Sequence, residues 1–391
     1  MKRIIPEKTG VLNAPGYAEK PDAIAADRSF STAVIRWQKQ HGRHKLPWQN
    51  TRDAYRVWLS EIMLQQTQVA AVIPYYQRFL ERFPDVGSLA AAPADEVMAH
   101  WSGLGYYSRA RNLHRCAQRI CAEYNGVFPA DADLLVQLPG IGRSTAAAIS
   151  AFAYGRRAAI LDGNVKRVFC RNFGIDGYPG EKRIEDSLWR HAEALLPERD
   201  IEAYTQGLMD LGATLCTRNN PSCPACPMLP RCVAVATDRV KHLPVRKPKK
   251  AVPEKHAAML VVIDRGQVLL EQRPESGIWG GLLSLPELAG PAAEARPAGK
   301  ALPDMAISNA IARFGTVASC EALQSFTHGF THFKLHISPF RISLAHRIDF
   351  VGEGSHVWYD GERLSRAPLP APVKKLLLEI FNGTAQLKIA I

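Results

Sequence analysis

Cysteine clustering limits the folds open to this chain more than any other feature. Cys216, Cys223, Cys226 and Cys232 follow at intervals of x6, x2 and x5, with prolines at 221, 224, 227 and 230. A short proline-turned loop of this kind can close four thiolates round one centre. Cys116, Cys121, Cys170 and Cys320 are scattered. A large chain with one tight cluster reads as a metal site, not a disulfide framework. Four thiolates suit zinc or an iron–sulfur cluster. Zinc sites usually show two CxxC pairs and this loop has one, but spacing alone leaves both metals open.

The cluster closes a long helical stretch. From about Phe30 to Ala236 the pattern is helical, in FSTAVIRWQKQH, DAYRVWLSEIMLQQT, VIPYYQRFLERF, DEVMAHWSGL, SRARNLHRCAQRICAEY, DADLLVQL, STAAAISAFAY and LDGNVKRVFCRNF. Residues 1–28 lack periodicity and are expected to be a loose extension. Residues 237–255, rich in proline and basic side chains, predict an extended, semi-rigid linker. Beyond it the pattern turns to α+β. AAMLVVI, a DRGQ turn and VLLEQR predict a hairpin; DMAISNAIARFG a helix; FKLHISPFRISL and SHVWYD strands; APVKKLLLEIFNG a final helix. The expected division is therefore 1–28, 29–236, 237–255 and 256–382. At 391 residues the chain exceeds the ~250–300 at which single cores stop growing.

A formal net charge of +12 favours phosphate-backbone partners through counterion release. No stretch reaches the ~18–20 apolar residues of a membrane span, and MKRIIPEKTG has no apolar run after its early basic residues. The expectation is a cytoplasmic protein, nucleoid-associated if bacterial, with no membrane partner. Leu138-Pro139-Gly140-Ile141-Gly142-Arg143-Ser144-Thr145 joins two helical patterns. Gly140 and Gly142 allow positive φ, Ile141 can anchor the turn, and the next helix starts with free N–H groups. That arrangement binds phosphate without reading bases.

Two acidic residues stand in informative settings. Glu61 lies within Trp58-Leu59-Ser60-Glu61-Ile62-Met63-Leu64, where apolar surroundings disfavour its charge and suit it to general-acid work. Asp162 follows an apolar run and precedes a helix, the position of an N-cap. Two carboxylates flanking one bond is also the plan of glycoside hydrolysis. An N-glycosidic bond needs the same pair of roles, an acid for the base and an anion for the sugar cation.

Together, the LPGIG hairpin, LDGNVKRV and the x6-x2-x5 loop resemble the endonuclease III and MutY superfamily of base-excision glycosylases over roughly 30–236. The resemblance implies a mainly α helix-hairpin-helix glycosylase core whose loop holds a [4Fe–4S] cluster, which decides against zinc. Leu46-Pro47-Trp48, WLSEIMLQQTQV and GLGYYSRARN resemble MutY-type enzymes specifically. By that resemblance Glu61 is the general acid and Asp162 stabilises the sugar, with Asn164 holding its geometry. Gln66 and Tyr106 wedge the base stack, and Trp48 and Gln206 line the adenine pocket. Gly140, Gly142 and Lys166 touch the DNA backbone. Ser144 stands where lyases carry a Schiff-base lysine, which implies a monofunctional glycosylase.

After the linker, QRPESGIWGGLLSLPE resembles the Nudix-like domain that MutY-type proteins use to sense 8-oxoguanine. Gly281 and Glu287 keep the first spacing of a Nudix box, but its REUxEE portion is missing, so pyrophosphatase chemistry is not expected. Phe330-Thr331-His332 resembles the family's lesion-probing loop, with Thr for Ser. His328, His332 and His336 could also suggest a metal, but alternate positions on an extended segment need not converge. The implied activity is removal of adenine opposite 8-oxoguanine or guanine in duplex DNA, by a chain acting as a monomer. Rivals are a glycosylase/lyase for oxidised pyrimidines, which Ser144 opposes, and a non-catalytic DNA-binding protein, which the two carboxylates oppose.

Overall fold

The computed structural model describes residues 28–248, 251–288, 304–330, 332–348 and 355–388. They form two compact units that cut across the expected linear division. One joins the N-terminal helix, up to Arg43, to Arg157–Arg246; the other joins His44–Arg156 to Lys247–Ile391. The helical core thus contributes to both, because its first helix pairs with a late one.

In the first unit, α1 (Arg28–His41) packs on a helix more than a hundred residues away, α11 below. The chain then enters the second unit through α2 (Ala54–Leu64), α3 (Val69–Arg82), α4 (Val86–Ala91), α5 (Ala94–Trp101), α6 (Ser108–Tyr124), α7 (Ala132–Leu135) and α8 (Arg143–Tyr154). It returns to the first with α9 (Gly163–Phe173), α10 (Lys182–Ala194), α11 (Ile201–Asp210) and α12 (Val233–Ala236). Close approach explains the pairing of α1 with α11: a Cβ on Gly207 would lie 2.7 Å from Val34 Cγ1.

Most helices start and stop where side-chain chemistry tells them to. Asp53 accepts from the N–H groups of Tyr55 and Arg56 to open α2. Asn125, Gly155 and Gly174 close α6, α8 and α9 in the left-handed region. Helix α2 ends at Leu64, three residues before the pattern suggested, because Gln66 turns left-handed at φ 57. Helices α4, α10, α11 and α12 are not singled out in the sequence. In α10 the buried Ile184, Leu188 and Ala192 repeat every fourth residue, but charged side chains fill the gaps.

The segment expected as an extended linker is folded through its first half. Arg239 pairs with Asp176 at 2.8 Å, and the buried Leu243 accepts from Arg171 Nε at 2.8 Å. Basic composition suggested solvation, but these contacts fix it to the first unit.

The C-terminal part is a seven-stranded sheet flanked by helices. Strands are β1 (Glu254–Asp264), β2 (Gln267–Gln272), β3 (Leu283–Ser284), β4 (Gly315–Ala322), β5 (Phe326–Gly329), β6 (Lys334–Arg347) and β7 (His356–Asp360), in the order β3-β2-β1-β6-β4, with β5 on β6 and β7 on β2. The hairpin forms as expected, with Ile263 opposite Val268. Strand β1 also pairs in parallel with β6, His256 opposite His336. Helix α13 (Asp304–Ile311) stops short of its expected end, and β4 begins at Gly315. One sheet face carries Leu260, Val262 and Leu269 onto Ile307 and Ile311 of α13. The other carries Met259, Val261 and Leu270 into a core shared with Trp58, Met63 and Leu113 of the helices and Leu377 of α14 (Ala371–Lys388). No helix among the described residues is long and apolar enough to cross a membrane.

Candidate active site

In the second unit, Glu61 sits half-buried in the last turn of α2, with Trp58, Leu59, Ser60, Ile62 and Met63 all buried around it in sequence. Arg109, in the first turn of α6, caps that helix from outside. Its Nη1 donates to the carbonyls of Ile62 (2.8 Å), Met63 (2.8 Å) and Gln65 (2.7 Å). Its Nη2 donates to the Gly105 carbonyl and the Thr67 hydroxyl, both at 3.1 Å. Burial pushes the guanidinium down to about 10. The negative end of the α2 dipole is what makes a buried cation tolerable there.

Two exposed residues flank this clamp, Gln66 at φ 57 and Tyr106 at φ 51. A non-glycine residue in the left-handed region costs ~1–3 kcal/mol and persists only where its surroundings hold it. Arg109 supplies that hold: it bonds the carbonyl before Gln66 and lies 5.4 Å from the Tyr106 ring. Sequence reading missed Arg109. Its signal was a charged residue on the same stripe of α6 as the buried Leu113, Ala117 and Ile120. Trp48 is itself a core residue, 8% exposed, with its ring edge-on to Tyr76 at 5.4 Å.

The hairpin between α7 and α8 works through different properties of its two glycines. Only Gly140 is left-handed, at φ 77, and a Cβ there would lie 2.7 Å from Asn112 Cβ. Gly142 is extended at φ −87, so positive φ is not its reason; it starts α8 without a side-chain cap and faces open space. Ile141 is buried and anchors the turn. Ser144 lies half-buried in the first turn of α8.

In the first unit, Asp162 caps α9. Its Oδ1 accepts from Val165 N at 2.8 Å and its Oδ2 from Asn164 Nδ2 at 3.3 Å. Burial raises its pKa, against the opposing pull of those donors and of Arg167. Asn164 is held in turn by Arg167 Nη2 at 2.8 Å, while Arg167 Nε donates to the Cys216 carbonyl at 2.7 Å and Nη2 also to Gly212 at 2.6 Å. A π-helical turn, Leu211–Leu215, brings Gly212 so near that a Cβ would lie 2.4 Å from Asn164 Cβ. One arginine thus ties the carboxylate to the cysteine loop. Lys166 is engaged by Glu185 at 2.6 Å. Gln206 donates its amide to Asp210 at 2.8 Å, a fully buried carboxylate that also takes Arg43 Nε at 2.7 Å and Arg43 N at 2.8 Å. The carboxylate accepts only, so the Gln206 amide nitrogen must face it and the amide oxygen is turned elsewhere.

All four loop cysteines are half-buried and none is in a disulfide. Among the described residues no set of three or more Cys, His, Asp or Glu is disposed as a metal's ligands. The donor set nonetheless fits a cluster. Burial, then proximity to Cys216, Cys232 and Cys223, pushes the Cys226 thiol up to about 11, so the four share one neighbourhood. Arg171 Nη1 donates to Cys216 Sγ at 3.4 Å, a cation poised for thiolate charge.

In the sheet domain, Phe330 stacks on Phe333 at 4.4 Å and stands edge-on to His328 at 4.7 Å. His332 is exposed; Thr331 lies outside the described residues. His336 bonds Glu254 at 3.0 Å, while burial lowers the pKa of His328. Glu287 pairs with Arg273 at 3.0 Å.

Residues 59–194 match the model of the HhH-GPD superfamily base excision DNA repair proteins, and 258–379 that of the NUDIX domain. An adenine DNA glycosylase from Buchnera aphidicola (strain APS) is 38% identical over 349 residues, 89% of this chain and 96% of that one. The adenine DNA glycosylase of Homo sapiens is 31% identical, covering 92% and 75%. The solved structure of a thermostable thymine-DNA glycosylase, 29% identical, superposes with a TM-score of 0.50 over 54% of this chain and 97% of its own. A helix-hairpin-helix core, a Nudix domain and relatives of this length leave one assignment: the chain belongs to the MutY-type adenine DNA glycosylases, DNA N-glycosylases of base-excision repair.

Proposed function

We propose that this glycosylase removes adenine mispaired with 8-oxoguanine or guanine in duplex DNA, and does so without lyase chemistry. The observation that carries the reading is the Arg109 clamp, which fixes the end of the Glu61 helix together with two strained, exposed residues suited to entering a base stack.

The α7–α8 hairpin takes phosphate, and Gln66 and Tyr106 occupy the gap left as adenine flips out, a step that costs least at a mismatch. The Gln206 amide oxygen, oriented by Asp210, accepts from the adenine amino group. By the family resemblance Trp48 also meets the adenine. Glu61 delivers a proton to adenine N7, and the C1′–N9 bond breaks with its electrons going to the base. The sugar cation is met by Asp162. Burial disfavours that anion, so an arriving cation gains most from it. Water then adds at C1′ and loses a proton. Ser144 has no amine for a Schiff base, so the product is an abasic site in an intact strand. Phe330, Thr331 and His332 read the opposite 8-oxoguanine.

Cys216, Cys223, Cys226 and Cys232 would hold a [4Fe–4S] cluster. When bound, the cluster supplies a rigid, charged tie for the loop. Arg171 offsets thiolate charge, and Arg167 passes the loop's position to Asn164 and Asp162.

The test is single-turnover excision on duplexes with adenine opposite 8-oxoguanine, guanine or thymine, read with and without alkali, on protein whose iron and sulfide content is measured alongside. Adenine release with breaks mainly after alkali supports the reading. Strand cleavage without alkali, or normal excision by Glu61→Gln, would sink it.

A further inference from the structure

Arg111 follows Arg109 by two residues on α6 and reaches a different partner. Its Nη1 donates to the carbonyl of Gly280, in the loop between β2 and β3. That loop is tied throughout. Gly281 N donates to the carbonyls of Arg273 (3.3 Å) and Pro274 (3.1 Å), and Gln272 Nε2 to that of Gly281 at 3.0 Å. A Cβ on Gly280 would lie 2.2 Å from the Glu275 oxygen, so the backbone there has no slack.

From the same loop Trp279, left-handed at φ 54 and 6% exposed, packs against Phe330 at 5.8 Å and His328 at 6.0 Å. Phe330 N donates to the Phe333 carbonyl at 2.9 Å, closing the turn that carries His332. A continuous path of packed rings and hydrogen bonds therefore runs from the His332 turn through Phe330, Trp279 and Gly280 to Arg111. The backbone of α6, two residues along, then carries it to Arg109 and the carbonyls of Ile62, Met63 and Gln65 beside Glu61.

We propose that Arg111 is a positioning residue that makes adenine release depend on the opposite base, by linking the turn of Phe330 and His332 to the helix end that carries Glu61. The proposal rests on the functional reading above. Coupling needs contiguous elements whose arrangement both sites bias, and Arg111 is a polar link between the Gly280 loop and α6. A residue that merely pinned the fold would slow excision equally against every opposite base.

The experiment compares single-turnover adenine release opposite 8-oxoguanine and opposite guanine, for the native chain, Arg111→Ala, Arg111→Lys, His332→Ala and the Arg111→Ala/His332→Ala double variant. The preference for 8-oxoguanine should fall about tenfold in Arg111→Ala, on the scale of one charge-assisted hydrogen bond. Lysine, which keeps one donor, should restore part of it. In the His332→Ala background the Arg111 change should no longer alter the preference, a non-additivity expected of linked residues. Equal slowing on both duplexes, or additive effects, overturns the coupling. If Arg111→Ala does not fold, Arg111→Lys carries the same comparison. A native chain with no preference refutes the functional reading and the coupling with it; a native preference that survives in the Arg111 variants refutes the coupling alone.

Discussion

Replacing Arg109 with methionine removes the α2 clamp while keeping an apolar stem in place. Four backbone carbonyls, of Ile62, Met63, Gln65 and Gly105, lose a donor at 3.1 Å or less. A buried acceptor left without a partner costs ~1–3 kcal/mol. Part of that is offset, because the variant no longer buries a cation, and burial is what depresses the native guanidinium. The expected net loss is ~3 kcal/mol, typical of breaking a buried polar network. Urea unfolding followed by tryptophan fluorescence reads it directly, since the Trp101 ring lies 5.3 Å from the guanidinium. Excision should fall on every adenine-containing duplex alike, because the end of the Glu61 helix is loosened whatever the opposite base. A loss below ~1 kcal/mol with full excision would refute the clamp.

Three further outcomes follow from the same geometry. Asp162→Asn keeps an acceptor for Val165 N but carries no charge. The folded pKa of Asp162 is raised by burial, so its contribution to stability is complete below the usual unfolded value of ~3.9 and is lost as pH rises through the folded one. The variant should therefore match the native chain in acid and exceed it near neutrality in thermal melts, while excision drops by ~10²-fold or more; a less stable variant at neutral pH would refute the assignment. Gly140→Ala, forced to φ 77 with its Cβ 2.7 Å from Asn112, should cost ~1–3 kcal/mol and weaken binding to undamaged and mismatched duplex equally, as fluorescence anisotropy would read. Arg167→Leu unties Asn164 from the Cys216 carbonyl, and should lower iron retention against a chelator by ~10–100-fold; unchanged retention would count against the tie.

The sequence yielded the elements whose signals are local. Helix α6 was read to its last residue, and the β1–β2 hairpin to its turn, because apolar periodicity and turn residues are both short-range. Asp162 was legible as a cap from its place before GNVKRV. What escaped is long-range pairing. Nothing near Gln65 announces that Arg109 will take its carbonyl, and nothing in TDRVKHL announces that Arg171 will hold Leu243. Strand β4 was missed because its exposed GTVASCEA shows no alternation and gains its identity from β6. The two compact units cut across the linear domains for the same reason, since α1 finds α11 through a contact that Gly207 permits and no neighbouring residue encodes.

The arginines share a logic that a search for catalytic carboxylates overlooks. Arg109 takes carbonyls at the end of the helix that carries Glu61, and Arg167 takes the Cys216 and Gly212 carbonyls beside the helix that Asp162 caps. A guanidinium spreads several donors over a rigid plane, so one side chain fixes three or four backbone points at once. Lysine in either place would supply a charge without the plane, and at position 109 the strained Gln66 and Tyr106 would lose the support that keeps them left-handed. The chemistry assigned to Glu61 and Asp162 therefore depends on side chains that need never touch DNA.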